Sequence, residues 1–323
     1  QLECSKSFTK HFLKKHHIPT AAYEVFSKTD EAVSYIRKMG APIVIKADGL
    51  ALGKGVIIAQ NEEEAVAAVH EMIDELKFGK SSARIVIEEF LTGPEVSVLS
   101  FTDGKTMVPM ISSMDHKRAL DGDKGLNTGG MGTISPNPCY TEELAKECME
   151  KIFIPTMNAM NAEGRTFEGC LYFGLMMTPK GPKVIEYNCR FGDPEAQVVL
   201  PLLESDLLTV MEAVENGTLA ETEVRFSDGA AACVILASGG YPQHYEKGKE
   251  ITIPASLPEN VTVYHAGDTL LEGKLYTSGG RVLGVTATGP DLPGALRDAY
   301  AAAAEISFEG AYCRKDIGKR ALE

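Results

Sequence analysis

Residues 43–59 read IVIKADGLALGKGVIIA. Ile43, Val44, Ile45 and Lys46 form a short, mostly apolar strand signal, and Val56, Ile57, Ile58 and Ala59 form a second. A glycine-rich stretch, 48–55, lies between them, so the pair reads as a hairpin with a long tip. Glycines let backbone N–H groups approach phosphate oxygens, and Lys46 and Lys54 supply positive charge. The stretch is not a Walker-type loop. The G-x-x-x-x-G-K-[ST] order is absent, and a strand rather than a helix follows. A dinucleotide fingerprint fails for the same reason. Taken alone, the stretch also fits a plain hairpin tip with solvated lysines.

Upstream, Phe8, Phe12 and Leu13 mark one face of an opening helix. Asp30 can cap another helix running to Met39, which Gly40 stops. Downstream, Asn61 and Glu64 have capping-box spacing for a helix to about residue 76. Strands are expected over 84–90, 95–101 and 106–111, then over 170–178 and 183–188. Thr141 caps a long helix to about residue 161. Residues 112–138, rich in Gly, Asp and Pro, read as a loop too long for a compact domain without a functional reason. After helical patterning over 204–216, strands over 231–237, 250–253, 261–265 and 281–287 precede a helix over 292–306. A boundary near 220–226 divides the chain into 1–225 and 226–323. Strands and helices mix without a βαβ rhythm, so the class is α+β with largely antiparallel sheets.

The 323 residues carry a net charge of −13, with 44% hydrophobic and 24% charged residues. This acidity argues against nucleic-acid or membrane-surface partners, both polyanionic. No apolar run reaches the ~20 residues of a membrane span. Seven cysteines, an odd number without a C-x-x-C pair, argue for reduced thiols in the cytoplasm rather than zinc or disulfides. The chain opens on Gln1 inside a working helix, which reads as a cut or processed fragment.

Three further signals follow. Glu186 and Asn188 fall on one face of a strand end, ~6.6 Å apart. A carboxylate and an amide oxygen suit a hard divalent cation. Arg190 and Asp193, in RFGDPE, follow directly. An arginine fork beside such a site can hold a carboxylate or a transferring phosphoryl group. Asp115 to Arg118 and the NTGGMG run 127–132 lie in the long middle stretch, where backbone amides in glycine runs can form anion nests. Each signal alone also fits a solvated strand end or surface turn.

Together, and in this order, they resemble the ATP-grasp superfamily. The stretches KADGLALGKGVIIA, DHKR with NTGGMG, KVIEYNCRFGDPE, GGRVLGVTA and FEGAYCRKDIGKRAL resemble the glycinamide ribonucleotide synthetase family along essentially the whole chain. The resemblance implies two α+β subdomains clamping ATP, with a lid subdomain over about 42–110, and a small β-rich C-terminal domain over 226–323. It implies that Lys6 and Lys46 flank the adenine and α-phosphate. Glu88, Glu89, Phe90 and Leu91 form the hinge that reads the adenine edge, and Glu95 holds the ribose. Lys54 and Gly55 sit in the lid. Glu186 and Asn188 bind Mg²⁺ or Mn²⁺. Arg190, Lys117 and Asp115 act on the reacting groups, and Asn127, Thr128, Gly129, Gly130, Arg190 and Asp193 contact substrate. The implied reaction joins glycine to 5-phosphoribosylamine, with fusion to or association with other purine-pathway domains as a further expectation. The alternatives are another carboxylate–amine ligase of the fold, or a nucleotide-binding fragment. Two departures stand out: Leu171-Tyr-Phe-Gly174 carries no acid where many ATP-grasp enzymes have one, and the family's N-terminal domain is absent from this sequence.

Overall fold

The computed structural model describes residues 1–51 and 55–322. It divides into two compact units: residues 1–95, 102–107 and 141–190, and residues 96–101, 108–140 and 191–323.

The first unit holds a four-stranded antiparallel sheet in the order Tyr23–Phe26, Ile85–Glu89, Ile43–Ala47, Val56–Ala59. The expected hairpin is formed, with Ile43 opposite Ala59 and Lys46 opposite Val56. The two-residue period of a strand sorts the faces. Ile43, Ile45, Ala47, Ile85 and Ile87 pack with Ala32, Ile36, Ala65 and Val69 of the helices Thr29–Met39 and Glu62–Val69. The first helix starts after Lys28, so Asp30 lies in its first turn rather than at its cap, and Gly40 ends it at φ 77°, where a side chain would be strained. Asn61 caps the second, its side chain accepting from Glu64 N at 2.8 Å. Glu64 reaches back to accept from Gln60 N at 2.8 Å, completing the box.

In the same unit, Gly169–Thr178 and Gly181–Asn188 form an antiparallel hairpin. Thr141 caps the expected long helix, which runs as Glu142–Cys148, a widened turn over Met149–Phe153, and Ile154–Ala162. Phe173 packs between Phe153 and Tyr187, with ring centroids 4.4 and 5.3 Å away. Each such ring contributes roughly 1.5–3 kcal/mol by burial.

The second unit is built on a five-stranded antiparallel sheet in the order Val261–His265, Arg281–Gly289, Ala230–Ala237, Gly132–Ser135, Met114–Asp115. The alanine-rich face of Leu292–Glu305 covers it through Ala295, Ala299 and Ala302, small residues that let the helix lie close. Residues 112–138 are therefore not one loop. They supply two strands of this sheet and a ribbon, Arg118–Leu120 with Lys124–Asn127. The strands are too short and too polar for alternation to show in sequence. Asp121, Gly122 and Asp123 form the ribbon's turn, where Gly122 and Asp123 take φ of 70° and 54°. Among the described residues, no helix is long and apolar enough to cross a membrane, and all seven cysteines are free.

Candidate active site

The face of the four-stranded sheet turned away from its helices carries charge. Lys46 lies opposite Val86 and Glu88 opposite Val44, which puts both side chains on that face. Glu88 is 5% exposed and Lys46 is 6% exposed. Lys46 Nζ stands 3.0 Å from Glu88 Oε1, and Lys10 Nζ stands 2.9 Å from Oε2. Burial alone would push the Glu88 carboxyl up; the two ammonium groups overcome that and hold it below the ordinary range. Burial pulls the Lys10 ammonium down to about 8 in spite of Glu88. Lys46 also donates to Ile185 O at a long 3.4 Å.

The helix Lys6–Lys15 begins against the hairpin. Asp48 Oδ1 accepts from Ser5 Oγ at 3.0 Å and from Ser7 N at 2.7 Å. Lys6 Nζ donates to Gly49 O at 3.2 Å. Burial lowers the Lys6 pKa, against the charge of Glu186 and with that of Lys46. Glu89 points to the other side of the sheet from Glu88. Its carboxylate accepts from Lys183 Nζ at 2.7 Å and from Ala22 N at 3.0 Å, so it serves as a structural anchor. Phe90, Leu91 and Glu95 follow the strand's end, with Phe90 and Glu95 exposed. Gly55 is buried against Ala47 and Ala51. Lys54 lies outside the described residues.

On the strand Gly181–Asn188, Tyr187 turns into the core and shares a 2.7 Å hydrogen bond with Thr156 Oγ1. Glu186 and Asn188 therefore share the opposite face. Gly174 lies across from Glu186 and Tyr172 across from Asn188. The LYFG segment thus sets a residue with no side chain directly opposite the carboxylate. Arg190 follows, its Nη2 donating to Asn188 Oδ1 at 3.5 Å and its Nε to Glu3 Oε1 at 3.2 Å. Glu3 also accepts from Cys189 N at 3.0 Å.

In the second unit, Asp115 and Thr133 pair across the sheet, and Asp115 Oδ1 accepts from His116 N at 2.7 Å. Lys117 O accepts from Thr128 N at 2.8 Å and from Thr128 Oγ1 at 2.9 Å. Gly129 N donates to Tyr241 Oη at 3.2 Å, Gly130 N to Thr128 Oγ1 at 2.9 Å, and Met131 N to His116 O at 2.8 Å. The run from Thr128 to Met131 is thus a hydrogen-bonded turn rather than the open anion nest its glycines suggest. Asn127, half-buried, ends the ribbon beside it. Arg281 clamps Asp193 with Nη1 and Nη2, at 3.2 and 2.8 Å, and its Nη1 also donates to Gly129 O at 3.0 Å.

Two family models match the chain. The phosphoribosylglycinamide synthetase ATP-grasp (A) domain covers residues 4–196, and the C domain of the same synthetase covers residues 231–320. The chain belongs to the phosphoribosylglycinamide synthetase family. A phosphoribosylamine–glycine ligase of Pasteurella multocida is 50% identical over 323 residues, which is 100% of this chain and 75% of that protein. The trifunctional purine biosynthetic protein adenosine-3 of Gallus gallus is 50% identical over 325 residues, covering 100% of this chain and 32% of that one. A crystal structure of phosphoribosylamine–glycine ligase from Thermotoga maritima matches with TM-score 0.87 and 39% identity, over 98% of this chain and 79% of that one. A biotin carboxylase from Campylobacter jejuni shares the fold alone, at TM-score 0.75 and 16% identity, over 96% of this chain and 68% of that one. The chain has the ATP-grasp fold.

Within the first unit the structure of this family member gathers Lys6, Lys46, Glu88 and Glu186 into one electrostatic neighbourhood, and ties Arg190 to Asn188. Sequence reasoning missed Lys10 and Glu3, whose partners are far away in the chain. It also missed Arg281, although GGRVLG was singled out as a motif, because a lone arginine before a strand names no partner.

Proposed function

We infer that this chain catalyses the ATP-dependent ligation of glycine to 5-phosphoribosylamine, giving glycinamide ribonucleotide, ADP and phosphate. One observation carries the reading: the buried Lys46 ammonium reaches the carbonyl of Ile185, one residue before Glu186. A phosphate-seeking cation adjoining a metal-seeking carboxylate is what phosphoryl transfer from a nucleotide requires. The names and whole-chain identity of the relatives support the choice of substrates.

The donor set fits a divalent metal. Glu186 and Asn188 offer two oxygens on one strand face, and the facing Gly174 leaves Glu186 its space. With only these two protein oxygens proposed, substrate oxygens and water would complete the shell. That habit favours Mg²⁺. When bound, the metal neutralises charge on the transferring phosphoryl group. We assign Lys6 and Lys46 to the α-phosphate and adenine, the backbone of 88–91 to the adenine edge, Glu95 to the ribose, and Lys54 with Gly55 to the phosphates. Arg190, Lys117 and Asp115 are assigned to the reacting groups, and Asn127, Thr128, Gly129, Gly130 and Asp193 to substrate. The ATP-grasp portion is read as 1–225 and the C-terminal portion as 226–323, a division the family matches support. Free thiols throughout accord with a cytoplasmic setting.

A glycine carboxylate oxygen attacks the γ-phosphorus, the bond to the bridging oxygen breaks, and ADP leaves. The amine of 5-phosphoribosylamine then attacks the acyl carbon of glycyl phosphate, loses a proton, and expels phosphate. No side chain needs to become a nucleophile. The protein's work is charge neutralisation, alignment and exclusion of water. Glu186→Gln should lower turnover by roughly two to three orders of magnitude with the circular dichroism spectrum unchanged. ADP release with glycine and 5-phosphoribosylamine, set against other acid–amine pairs, measures it. A variant as active as its parent would overturn the metal assignment, and a preference for another pair would overturn the substrates.

A further inference from the structure

Resting on the nucleotide role assigned to Lys46, we propose that Lys10 is a positioning residue: by taking one oxygen of Glu88 and sharing its charge, it leaves the Lys46 ammonium only partly neutralised and able to meet an anionic ligand. The two lysines share one carboxylate but are held very differently. Lys10 Nζ meets Glu88 Oε2 at 2.9 Å, Thr20 Oγ1 at 2.7 Å and Ala21 O at 3.4 Å. An ammonium has three N–H donors, so each has a protein acceptor. Thr20 is itself fixed, donating to Val184 O at 2.7 Å. Lys46 has a 3.0 Å charge contact with Glu88 Oε1, an atom that receives no directed hydrogen bond, and the long 3.4 Å bond to Ile185 O. Lys46 is thus held by fewer and looser contacts than Lys10.

Charge counting gives the same answer. Lys10, Lys46 and Glu88 are 2%, 6% and 5% exposed, so within this triad two cations share one anion out of water, with the opposite charges of Lys6 and Glu186 nearby. Buried excess charge is unfavourable until matched. Since Lys10 already occupies one carboxylate oxygen, the triad's excess falls to Lys46, and an incoming phosphate group matches it. Without Lys10, Glu88 and Lys46 would neutralise each other and the triad's pull on phosphate would vanish. The carboxylate alone would not attract phosphate to this face; the second lysine makes the triad net positive.

Calorimetric titration with a non-hydrolysable ATP analogue and Mg²⁺ tests this on the parent, Lys10→Met, Lys10→Arg, Lys46→Met and Lys10→Met/Glu88→Gln. Lys10→Met should weaken analogue binding about tenfold or more. KM for ATP should rise with it, while KM for glycine and the saturated rate stay near the parent's. Lys10→Arg should retain most of the affinity. The double variant should bind more tightly than Lys10→Met alone, because removing the carboxylate charge releases Lys46. A purely structural lysine would lower the melting temperature without splitting the two KM values. If Lys46→Met loses binding while Lys10→Met does not, the positioning role is wrong. Further weakening in the double variant would also overturn it. If Lys46→Met binds as the parent does, the nucleotide reading fails instead. Should Lys10→Met not fold, Lys10→Gln, which can still bond Thr20, takes its place.

Discussion

Gly174 lies directly opposite Glu186, and a Cβ placed on Gly174 would stand 3.1 Å from the Glu186 Cγ and 3.4 Å from its carbonyl oxygen. The glycine therefore sets where the carboxylate can be. Gly174→Ala should displace Glu186 by a few tenths of an ångström without disrupting the hairpin. The expected result is a roughly three- to tenfold higher metal concentration for half-maximal turnover, since misplaced ligands weaken a site without abolishing it. Titrating Mg²⁺ at saturating ATP measures it. An unchanged requirement would mean that Glu186 has room to move.

His116 gives this fold a pH dependence. It is 1% exposed, and its Nε2 accepts from Gly318 N at 3.1 Å. A backbone N–H can only donate, so the proton is on Nδ1, which donates to Gly132 O at 3.2 Å. Protonating Nε2 would set donor against donor. Burial, then the charges of Arg314 and Arg320, lower its pKa from 6.5 to about 4. Because the folded value is depressed, the unfolded chain binds the proton first, and stability falls as pH drops from about 6.5 toward 4. The loss is on the order of 3 kcal/mol. Denaturant midpoints from pH 7.5 to 4.5 should fall across this window in the parent, and with a shallower slope in His116→Gln.

How much of this was legible follows the range of each signal. The hairpin over 43–59, the caps at Asn61 and Thr141, and the shared face of Glu186 and Asn188 are local patterns, and the structure has them. Residues 112–138 misled because a five-stranded sheet accepts strands as short as Met114–Asp115, too brief for a period. The Lys10–Glu88 pair joins residues 78 apart in sequence, and Arg281–Asp193 residues 88 apart. No spacing rule reaches that far. The engaged amides of Gly129 and Gly130 depend on Tyr241 and Thr128, so composition alone could not tell a nest from a turn.

The tail of the chain latches the ribbon that ends at Asn127. Arg314, 2% exposed, donates to Arg118 O at 3.1 Å, to Asp123 Oδ1 at 2.9 Å and to both oxygens of Asp316 at 2.8 and 2.9 Å. Asp316 in turn accepts from Gly122 N at 2.8 Å. Arg314→Met would leave Asp123 to Arg320 and Asp316 to Gly122 N, and removing the shared guanidinium should cost about 1–3 kcal/mol. Arg314→Lys keeps the charge but loses the planar fork, so its loss should be intermediate. Urea unfolding of the three proteins gives the order. Equal stability in Arg314→Met would show that the latch contributes nothing net.

Gly130 separates two costs that are usually confounded. Its φ is 114°, and a Cβ there would lie 2.4 Å from Pro194 Cδ and 2.6 Å from Asp115 Oδ1. An alanine would therefore suffer both a strained backbone and a collision with two fixed neighbours. Gly164 has φ of 66° and nothing within 4 Å of its imagined Cβ, so an alanine there meets the backbone penalty alone. Gly164→Ala should cost about 1 kcal/mol. Gly130→Ala should cost roughly 2–4 kcal/mol, the surplus being the displacement of Pro194 and Asp115. Turnover should fall in Gly130→Ala and not in Gly164→Ala, because Asp115 is among the residues assigned to the reaction. Paired denaturant melts and initial rates measure both quantities. If the two variants lose equal stability, the turn yields to the methyl group, and Gly130 is there only for its φ.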